Sequence, residues 1–403
     1  MNRKFNFTLV VLVFVLSAKA QSHFGVQLLT DSFDTRWSKG SISISTEGLA
    51  LSNTLNTGMY SNYLFSDGFS PKNKNAFLDL NTKHTKFNTA LNNKLEYKLN
   101  NDLGLALKHN SFVAFKSENE FSKFILFGNK RFLDKTVSSE DLRFLSYTSY
   151  AAGLTKKYIS HNRKWRMKSG LDIQLLSQMN EVNARQLSFY TAVNGEEIEA
   201  NIEQLTISRN QKSVAGVGLN LNLDFEYKKS ENSIISVDFH NLNFNHLLNT
   251  ELFYLDSNFS FTGINSFGPR DSIFKSGYLE NRINEEIEDR TEDTSFVSLP
   301  SNIYIAYSRS LGKGNIISTS FRTTDLGEFG SSVDLGFLKI WNPNIALKST
   351  LGYGDFTGII WREEFEYAFS KVSIKLDVLN LHSFILPDKT TSYSAAISIS
   401  SQL

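Results

Sequence analysis

The chain has 403 residues, a formal net charge of +1 and no cysteine. The near-zero charge excludes a strong overall attraction to nucleic acid. The absence of cysteine excludes disulfides and lipid attachment through a cysteine. The length would suit two or three ordinary domains. With only 5 prolines and no Ser/Gly-rich or Pro-rich linker, however, residues 21–403 are predicted to form a single domain.

The first twenty residues have the pattern of a secretory signal peptide. Two basic residues precede a short apolar stretch, and Ala18 and Ala20 form a small-x-small cleavage site. The stretch is too short for a transmembrane helix, which needs about twenty apolar residues. The sequence therefore predicts export, with residues 1–20 removed after Ala20.

The next segment, residues 21–100, has no clean strand period over most of its length. We predict a long irregular N-terminal segment, part of which plugs or caps the rest of the domain. A turn-like KSENE then separates the apolar runs FVAF and FSKFILF.

Alternating segments are clear from Leu103 onwards. The runs LGLALKHN and WRMKSGLDIQLLS place apolar residues at every second position. Successive side chains of a strand point to opposite faces, so Trp165 and Ile173 share one face and Arg166 and Asp172 share the other. Each run predicts a strand with one apolar and one polar face.

The run VAGVGLNLNLDFEY follows the same rule over residues 214–227. Its apolar face ends on Phe225 and Tyr227, and its polar face ends on Asp224 and Glu226. The turn KKSENS leads from it into a second alternating run, IISVDFHNLNF.

An acidic stretch, LENRINEEIEDRTED, lies within a long irregular region over residues 263–298. It lacks the spacing of a calcium-binding loop. Its closely spaced carboxylates would be costly inside a narrow protein interior without matching cations. We therefore predict a loop outside the domain. The carboxylates are Glu285, Glu286, Glu288, Asp289, Glu292 and Asp293.

Three hairpins follow in the last quarter of the chain. GKGN joins NIYIAYSRSL to IISTSFRTTDL, NPN joins GSSVDLGFLKIW to IALKSTLGYG, and a tight turn joins IIWREEFEYAF to VSIKLDVLNL. In the last hairpin, the polar face of the first strand carries Arg362, Glu364 and Glu366, and the polar face of its partner strand carries Lys375 and Asp377. The chain ends on an alternating, apolar SYSAAISISSQL, a terminal strand of the kind that barrel-assembly machinery reads.

These features together predict a transmembrane antiparallel up-and-down β-barrel of about 14 strands, within a range of 12–16. The chain has Phe 33 and Tyr 15, and alternating segments of about ten residues with aromatic girdles are typical of outer-membrane barrels. A large soluble β-sandwich with one solvated face is the alternative. An Arg or Lys that faced lipid near the midplane would cost about 2–4 kcal/mol, so the charged faces are predicted to line the lumen. The predicted lumen residues are Arg362, Glu364, Glu366, Lys375, Asp377, Asp224 and Glu226.

Two resemblances accompany this pattern. The hairpin that begins at Val214 resembles the "Asp-x-Gly-x-x-Tyr, turn, strand, Asn/Asp-Leu-Gly" hairpin of fatty-acid-transporter-like barrels. It keeps Asp224, Tyr227, Asn241 and Leu242 and lacks both glycines. The whole C-terminal half, residues 214–403, resembles a large family of Bacteroidota outer-membrane barrels whose function is not established. The resemblance implies the fold and the location, and it supplies no catalytic residues.

No pattern of residues points to catalysis, a cofactor or a metal. The seven histidines form no pair at metal-ligand spacing. The run His109-Asn110-Ser111 contains the residue types of a lipase triad. Adjacent side chains on a strand point to opposite faces, so this run cannot itself form one. The chain is predicted to be no enzyme, with no catalytic residue, bound cofactor or metal.

Two functions are compatible with such a barrel. The first is a channel or conduit for small or hydrophobic solutes. The second is a structural or accessory barrel that holds a partner at the cell surface or in a secretion or gliding complex. In both cases the expected location is the outer membrane of a Gram-negative bacterium, and the expected partners are outer-membrane lipid and the barrel-assembly machinery, with no nucleic acid.

Overall fold

The computed structural model describes most of the chain beyond residue 38. The predicted signal peptide, its cleavage site at Ala20 and most of the acidic loop lie outside the described residues. The described ranges are 39–56, 71–79, 82–100, 102–195, 197–210, 214–248, 250–262, 288–290, 294–324, 330–342, 344–354, 358–369, 371–380 and 391–402.

The described residues form eighteen strands. They are β1 (Lys39–Ser52), β2 (His84–Asn100), β3 (Leu103–Glu118), β4 (Lys135–Ile159), β5 (Trp165–Thr191), β6 (Glu197–Asn210), β7 (Gly216–Ser230), β8 (Ser233–Leu248), β9 (Thr250–Thr262), β10 (Glu288–Arg290), β11 (Thr294–Val297), β12 (Asn302–Gly312), β13 (Asn315–Thr324), β14 (Ser331–Asn342), β15 (Ile345–Gly354), β16 (Gly358–Phe369), β17 (Val372–Leu379) and β18 (Ser392–Gln402).

Helices are few and short among the described residues. They are α1 (Pro71–Leu78), α2 (Asn119–Phe127) and a single 3₁₀ turn at Asn129–Arg131. Within the described ranges, no helix is long and apolar enough to cross a membrane.

Fourteen of the described strands close into a ring in which each strand pairs antiparallel with the next one around the barrel, while β6 and β9 to β11 lie outside the ring. The ring runs from β1 to β5, continues through β7 and β8, and returns through β12 to β18. β18 closes it by pairing antiparallel with β1 from Ser41↔Gln402 to Leu51↔Ser392. The prediction of a 14-stranded antiparallel up-and-down barrel is confirmed, and the soluble sandwich is not.

The N-terminal part of the chain differs from the expectation. Residues 39–52 and 84–100, predicted to belong to an irregular plugging segment, form β1 and β2 of the wall. The reason is closure, because a barrel that lacked β1 would leave the edge of β18 unpaired against lipid. Residues 21–38 lie outside the described part of the chain, so a plug there stays a prediction.

The two ends of the barrel differ in their connections. Turns of two to five residues join β2 to β3, β4 to β5, β7 to β8, β12 to β13, β14 to β15 and β16 to β17 at one end. The opposite end carries the long connections, including residues 53–83, 119–134 and 249–301. We call these the short-turn end and the long-loop end.

The outer face of the barrel is a continuous apolar band. Ile173, Leu335 and Ile359 are 70%, 65% and 71% exposed, far more than a soluble core would leave. Such a band greatly exceeds the apolar patches of soluble monomers, and it matches the lipid-facing belt of a transmembrane barrel. Aromatic rings mark its short-turn edge, where Trp165 lies 5.4 Å from Tyr158 between ring centroids.

At the long-loop end, β4 and β5 extend beyond the barrel wall into a second sheet. The lower half of β5 pairs with β7 from Trp165↔Tyr227 to Leu176↔Gly216, whereas residues 180–191 pair with β6. β6 pairs with β9, and β9 pairs with β10. We call residues 135–146 of β4 and 180–191 of β5, together with β6, β9 and β10, the protruding sheet. The three described residues of the acidic loop form β10 and lie in this sheet, outside the barrel wall.

The protruding sheet has a hydrophobic core of its own. The run FSKFILF, read from the sequence as a further apolar strand-like run, forms helix α2 and covers one face of the sheet. Phe121 and Phe124 are buried there, and the ring of Phe124 lies 5.8 Å from Phe132 and 5.4 Å from Phe189. Their spacing of three residues puts both rings on one side of a helix.

Candidate functional site

The candidate site is the lumen, whose inner wall is built from the polar faces of the strands. Among the described residues, charged side chains meet there in several groups on different parts of the wall. In one of them Glu96 on β2 lies 2.5 Å from Lys94 Nζ and 4.0 Å from Lys168 Nζ, and three more groups join other strands. The structure places Arg362, Glu364, Glu366, Lys375, Asp377, Asp224 and Glu226 on this inner face.

The first group joins β5, β7 and β8. Arg166 and Glu226 are 3% and 1% exposed, and their side chains meet with Nη2 to Oε2 at 2.5 Å and Nε to Oε2 at 2.8 Å. The strands hold these residues directly opposite each other. Asp224, two positions earlier on β7, accepts from His240 Nε2 at 2.5 Å.

The second group joins β15, β16 and β17. Glu364 lies between two lysines, with Lys348 Nζ 3.3 Å and Lys375 Nζ 3.1 Å from its two carboxylate oxygens. Arg362 Nε lies 3.6 Å from Asp377 Oδ1. Lys348 stands directly opposite Glu364. The two pairs between β16 and β17 are diagonal, because Glu364 stands directly opposite Asp377 in the register.

Glu366 lies lower on the same face of β16. It is half-buried and stands directly opposite Lys375 in the register.

The third group crosses a whole strand. Lys108 on β3 reaches Asp172 on β5 with Nζ to Oδ2 at 2.5 Å, and Asn220 and Asn222 donate to the same oxygen at 3.2 and 3.0 Å. β4 lies between the two strands and offers no side chain at this level, since Gly153 stands directly opposite Asp172.

The missing side chain at Gly153 is therefore predicted to be required. A Cβ there would meet the Asp172 carboxylate and would lie 2.7 Å from the backbone oxygen of Leu171. We expect Gly153→Ala to lower the free energy of unfolding by about 1–3 kcal/mol, the usual range for overpacking. Urea titration of the folded fraction, read from gel mobility with and without heating, measures this.

Gly170→Ala is the matched control for that substitution. Gly170 lies in the same strand pair, and a Cβ there would meet its nearest atom, Thr155 Cγ2, at an ordinary 3.4 Å. The control should be neutral or slightly stabilising, because alanine restricts the unfolded chain more than glycine. Equal losses in the two variants would contradict the role assigned to the gap at Gly153.

A cavity of about 200 Å³ lies in the part of the lumen towards the long-loop end, and the Arg362–Asp377 pair forms part of its wall. One part of its lining is apolar and includes Leu49, Phe112 and Ile360. The other part is polar and charged. The charged residues of the lining are Glu47, Arg322, Asp334, Arg362 and Asp377.

An apolar cluster borders the cavity towards the long-loop end. Phe112 and Tyr147 stack with their ring centroids 5.4 Å apart and pack with buried Leu299. Asn243 fixes the backbone of Leu299 from the wall, since its Oδ1 accepts from Leu299 N at 2.8 Å and its Nδ2 donates to Leu299 O at 3.1 Å. The stretch that leads into β12 is thus folded inward over the lumen.

Several residues of the site were not among those predicted from the sequence. They all lie on the polar side of an alternating run, which is the one signal that could have identified them. These residues are Lys108, Arg166, Asp172, Arg322 and Lys348. That signal gives the face of a residue, whereas its partner depends on which strand comes next to it in the barrel.

The described residues contain no group of three or more His, Asp and Glu side chains arranged to hold a metal ion. The run His109-Asn110-Ser111 does not come together. His109 packs against Tyr150 with ring centroids 5.0 Å apart, whereas Asn110 on the other face reaches Ser149 at 3.5 Å.

No family model matches the sequence, and no curated protein sequence matches it. Several solved structures are similar in their path. The Pseudomonas putida toluene transporter TodX shares 10% identity, with 97% of this chain and 96% of that chain covered and a TM-score of 0.43. The Ralstonia pickettii toluene transporter TbuX shares 8% identity, with 92% and 91% covered and a TM-score of 0.45. A Pseudomonas aeruginosa FadL homologue shares 10% identity, with 90% and 89% covered and a TM-score of 0.45. At such low identities and TM-scores, the solute of this barrel has to be argued from its own lumen.

Proposed function

We propose that this protein is an outer-membrane conduit for small or hydrophobic solutes. The observation that carries the proposal is the cavity inside the lumen, which has both apolar and charged walls. The signal-peptide pattern and the apolar outer band support the outer membrane, with the short turns on the periplasmic side as is usual for such barrels. A solute would enter from the long-loop end and reach the cavity before it meets the charged groups closer to the short-turn end.

The charged groups also predict how the conduit conducts. Buried ion pairs narrow the lumen at the cavity, where Arg362 pairs with Asp377, and closer to the short-turn end, where Arg166 pairs with Glu226. We therefore expect passage to be slow and selective. In planar bilayers the purified protein should pass little steady ionic current, while liposomes that contain it should swell measurably in isosmotic solutions of small solutes.

A matched pair of variants separates the lumen from the rest of the wall. Replacing Arg362 and Asp377 together by alanine should raise the swelling rate, because both side chains that narrow the lumen are removed. Replacing Lys228 and Glu231 at the short-turn end, whose side chains are 27% and 91% exposed, should leave the swelling rate unchanged. A large, stable ohmic conductance of the intact chain would contradict the narrow conduit and favour an open pore.

A barrel that passes no small solute at all would instead favour the accessory role. The protruding sheet with its own core would then be the surface that holds a partner. Removal of residues 21–38 distinguishes a plug from a closed wall, since only a plug in that segment would raise the current when deleted. A longer deletion, to about residue 60, would remove β1 from the wall.

A further inference from the structure

Arg322, on β13, differs from the other lumen cations described above. Arg166, Lys108, Lys348, Lys375 and Arg362 each face a carboxylate within ion-pair distance. Arg322 forms no ion pair or hydrogen bond with any residue that the structure describes, and its Nε is buried without a partner. Its guanidinium packs on the ring of Tyr304, with Cζ 5.7 Å from the centroid. A guanidinium carries five donors, and leaving a buried donor unsatisfied is costly.

The cavity also contains two carboxylates whose hydrogen bonds from described residues come from neutral donors. Glu47 accepts from Asn92 Nδ2 at 2.9 Å, and Asp334 accepts from Ser332 Oγ at 3.3 Å. No ion pair to a described cation accompanies either contact. The lining therefore presents one guanidinium and two carboxylates whose charges are not matched within 4.0 Å, the limit for an ion pair.

The third property of the cavity is its size and its apolar wall. About 200 Å³ is below the ~300–1,000 Å³ of pockets for drug-sized ligands. Leu49, Ile360 and Leu379 line it next to the charged residues, and the Thr350 hydroxyl oxygen in its wall is buried without a hydrogen-bond partner. A ligand that fits is small, has a short apolar part and carries charge of both signs.

We propose that the cavity binds a small zwitterion of the amino-acid or short-peptide class. The ligand carboxylate pairs with Arg322, its ammonium faces Glu47 and Asp334, and its apolar side chain lies against Leu49 and Ile360. Charge-assisted hydrogen bonds of this kind are the strong ones in proteins. The inference rests on the proposed function, since it names the class of solute that the conduit would select.

Four probes with nearly the same carbon skeleton test this by isothermal titration calorimetry of the folded full chain in detergent. They are leucine with both charges, 4-methylpentanoate with the carboxylate alone, 3-methylbutylamine with the ammonium alone, and 3-methylbutan-1-ol with neither. Leucine should bind at least about tenfold more tightly than either singly charged probe, and the alcohol should not bind.

Variants of the two charged walls should separate the two ends of the ligand. Arg322→Gln should weaken the binding of leucine about 10- to 100-fold, where each tenfold change in affinity equals about 1.4 kcal/mol. The double variant Glu47→Gln, Asp334→Asn should weaken leucine and the amine without weakening 4-methylpentanoate. Arg309→Gln is the matched control, because Arg309 on the neighbouring strand β12 is exposed and lines no part of the cavity. Gel mobility with and without heating verifies that each variant is folded.

The outcomes are distinct from those of the conduit. Binding of 4-methylpentanoate as tight as that of leucine would overturn the zwitterion in favour of a simple anion site. Absence of leucine binding, or no loss in the folded Arg322→Gln protein, would overturn the site altogether. If leucine binds but liposomes do not admit it or other small solutes, the site stands and the conduit fails. If liposomes admit small solutes although the protein does not bind leucine, the conduit stands and the site fails.

Discussion

Replacing Arg166 by leucine should lower the free energy of unfolding by about 3–5 kcal/mol, the loss that follows when one partner of a buried ion pair is removed. Glu226 is 1% exposed and would be left in a closed part of the lumen without the guanidinium that now lies 2.5 Å away. The second oxygen of Glu226 is already buried without a hydrogen bond, so the carboxylate has little else to compensate the loss.

A double variant distinguishes the loss of the ion pair from a loss of side-chain packing. Arg166→Leu combined with Glu226→Gln removes the unpaired carboxyl group, and it should recover a large part of the loss. Urea titration of the folded fraction in detergent measures all three proteins. Lys228→Gln is the control, because the Lys228–Glu231 pair is exposed at the short-turn end and such pairs contribute about 0–1 kcal/mol. A loss for Arg166→Leu no larger than that of the control would mean that the pair does not stabilise the barrel.

Leu376→Arg should impair assembly by about 2–4 kcal/mol, the cost of an arginine on the lipid face near the midplane. Leu376 lies in the middle of β17 and is 37% exposed, with Phe365 of β16 directly opposite it on the same outward face. An arginine at this position would stand among apolar side chains. The carboxylate nearest in register on that face of β16, Glu363, lies diagonal to it and already accepts from Ser349 Oγ at 2.7 Å and Trp361 Nε1 at 2.6 Å.

The neighbouring Lys375→Leu should be far milder. Lys375 lies on the inner face, and Glu364 would keep Lys348 at 3.3 Å after the substitution. The folded fraction of both variants, measured by gel mobility with and without heating after refolding into vesicles, gives the comparison. Equal effects of the two substitutions would contradict the orientation of β17.

The faces of β16 and β17 could be predicted because they depend on one strand at a time. The alternation of Val372, Ile374 and Leu376 with Ser373 and Lys375 is a property of extended backbone, whose side chains change sides at each residue. The same local signal missed β1. Its run of serines and isoleucines was too weakly marked to be separated from an irregular segment, and pairing with β18 was needed to make it part of the wall.

Helix α2 shows a second limit of local patterns. FSKFILF is apolar enough for a strand and has aromatic residues at a spacing that also suits a helix, and short apolar runs do not distinguish the two. The protruding sheet favours the helix, because one face of the sheet is apolar and becomes buried when Phe121 and Phe124 pack on it. The core of that sheet exists only after residues 115–142 and 182–207 have been brought together.

The partners of the lumen charges were beyond the reach of the sequence alone. Arg166 and Glu226 are 60 residues apart, and they meet because β6 leaves the wall and lets β7 pair with the lower half of β5. Lys108 meets Asp172 across β4 because Gly153 leaves room. By itself the sequence indicated a membrane barrel of about 14 strands, within a range of 12–16, and the face of the charged residues in the clearly alternating runs. The tertiary structure decided which charges neutralise each other, and that Arg322 forms no ion pair with a described residue of the cavity. Period and face follow from the backbone geometry of a single strand, whereas the choice of partner follows from ring closure and register between strands far apart in the chain.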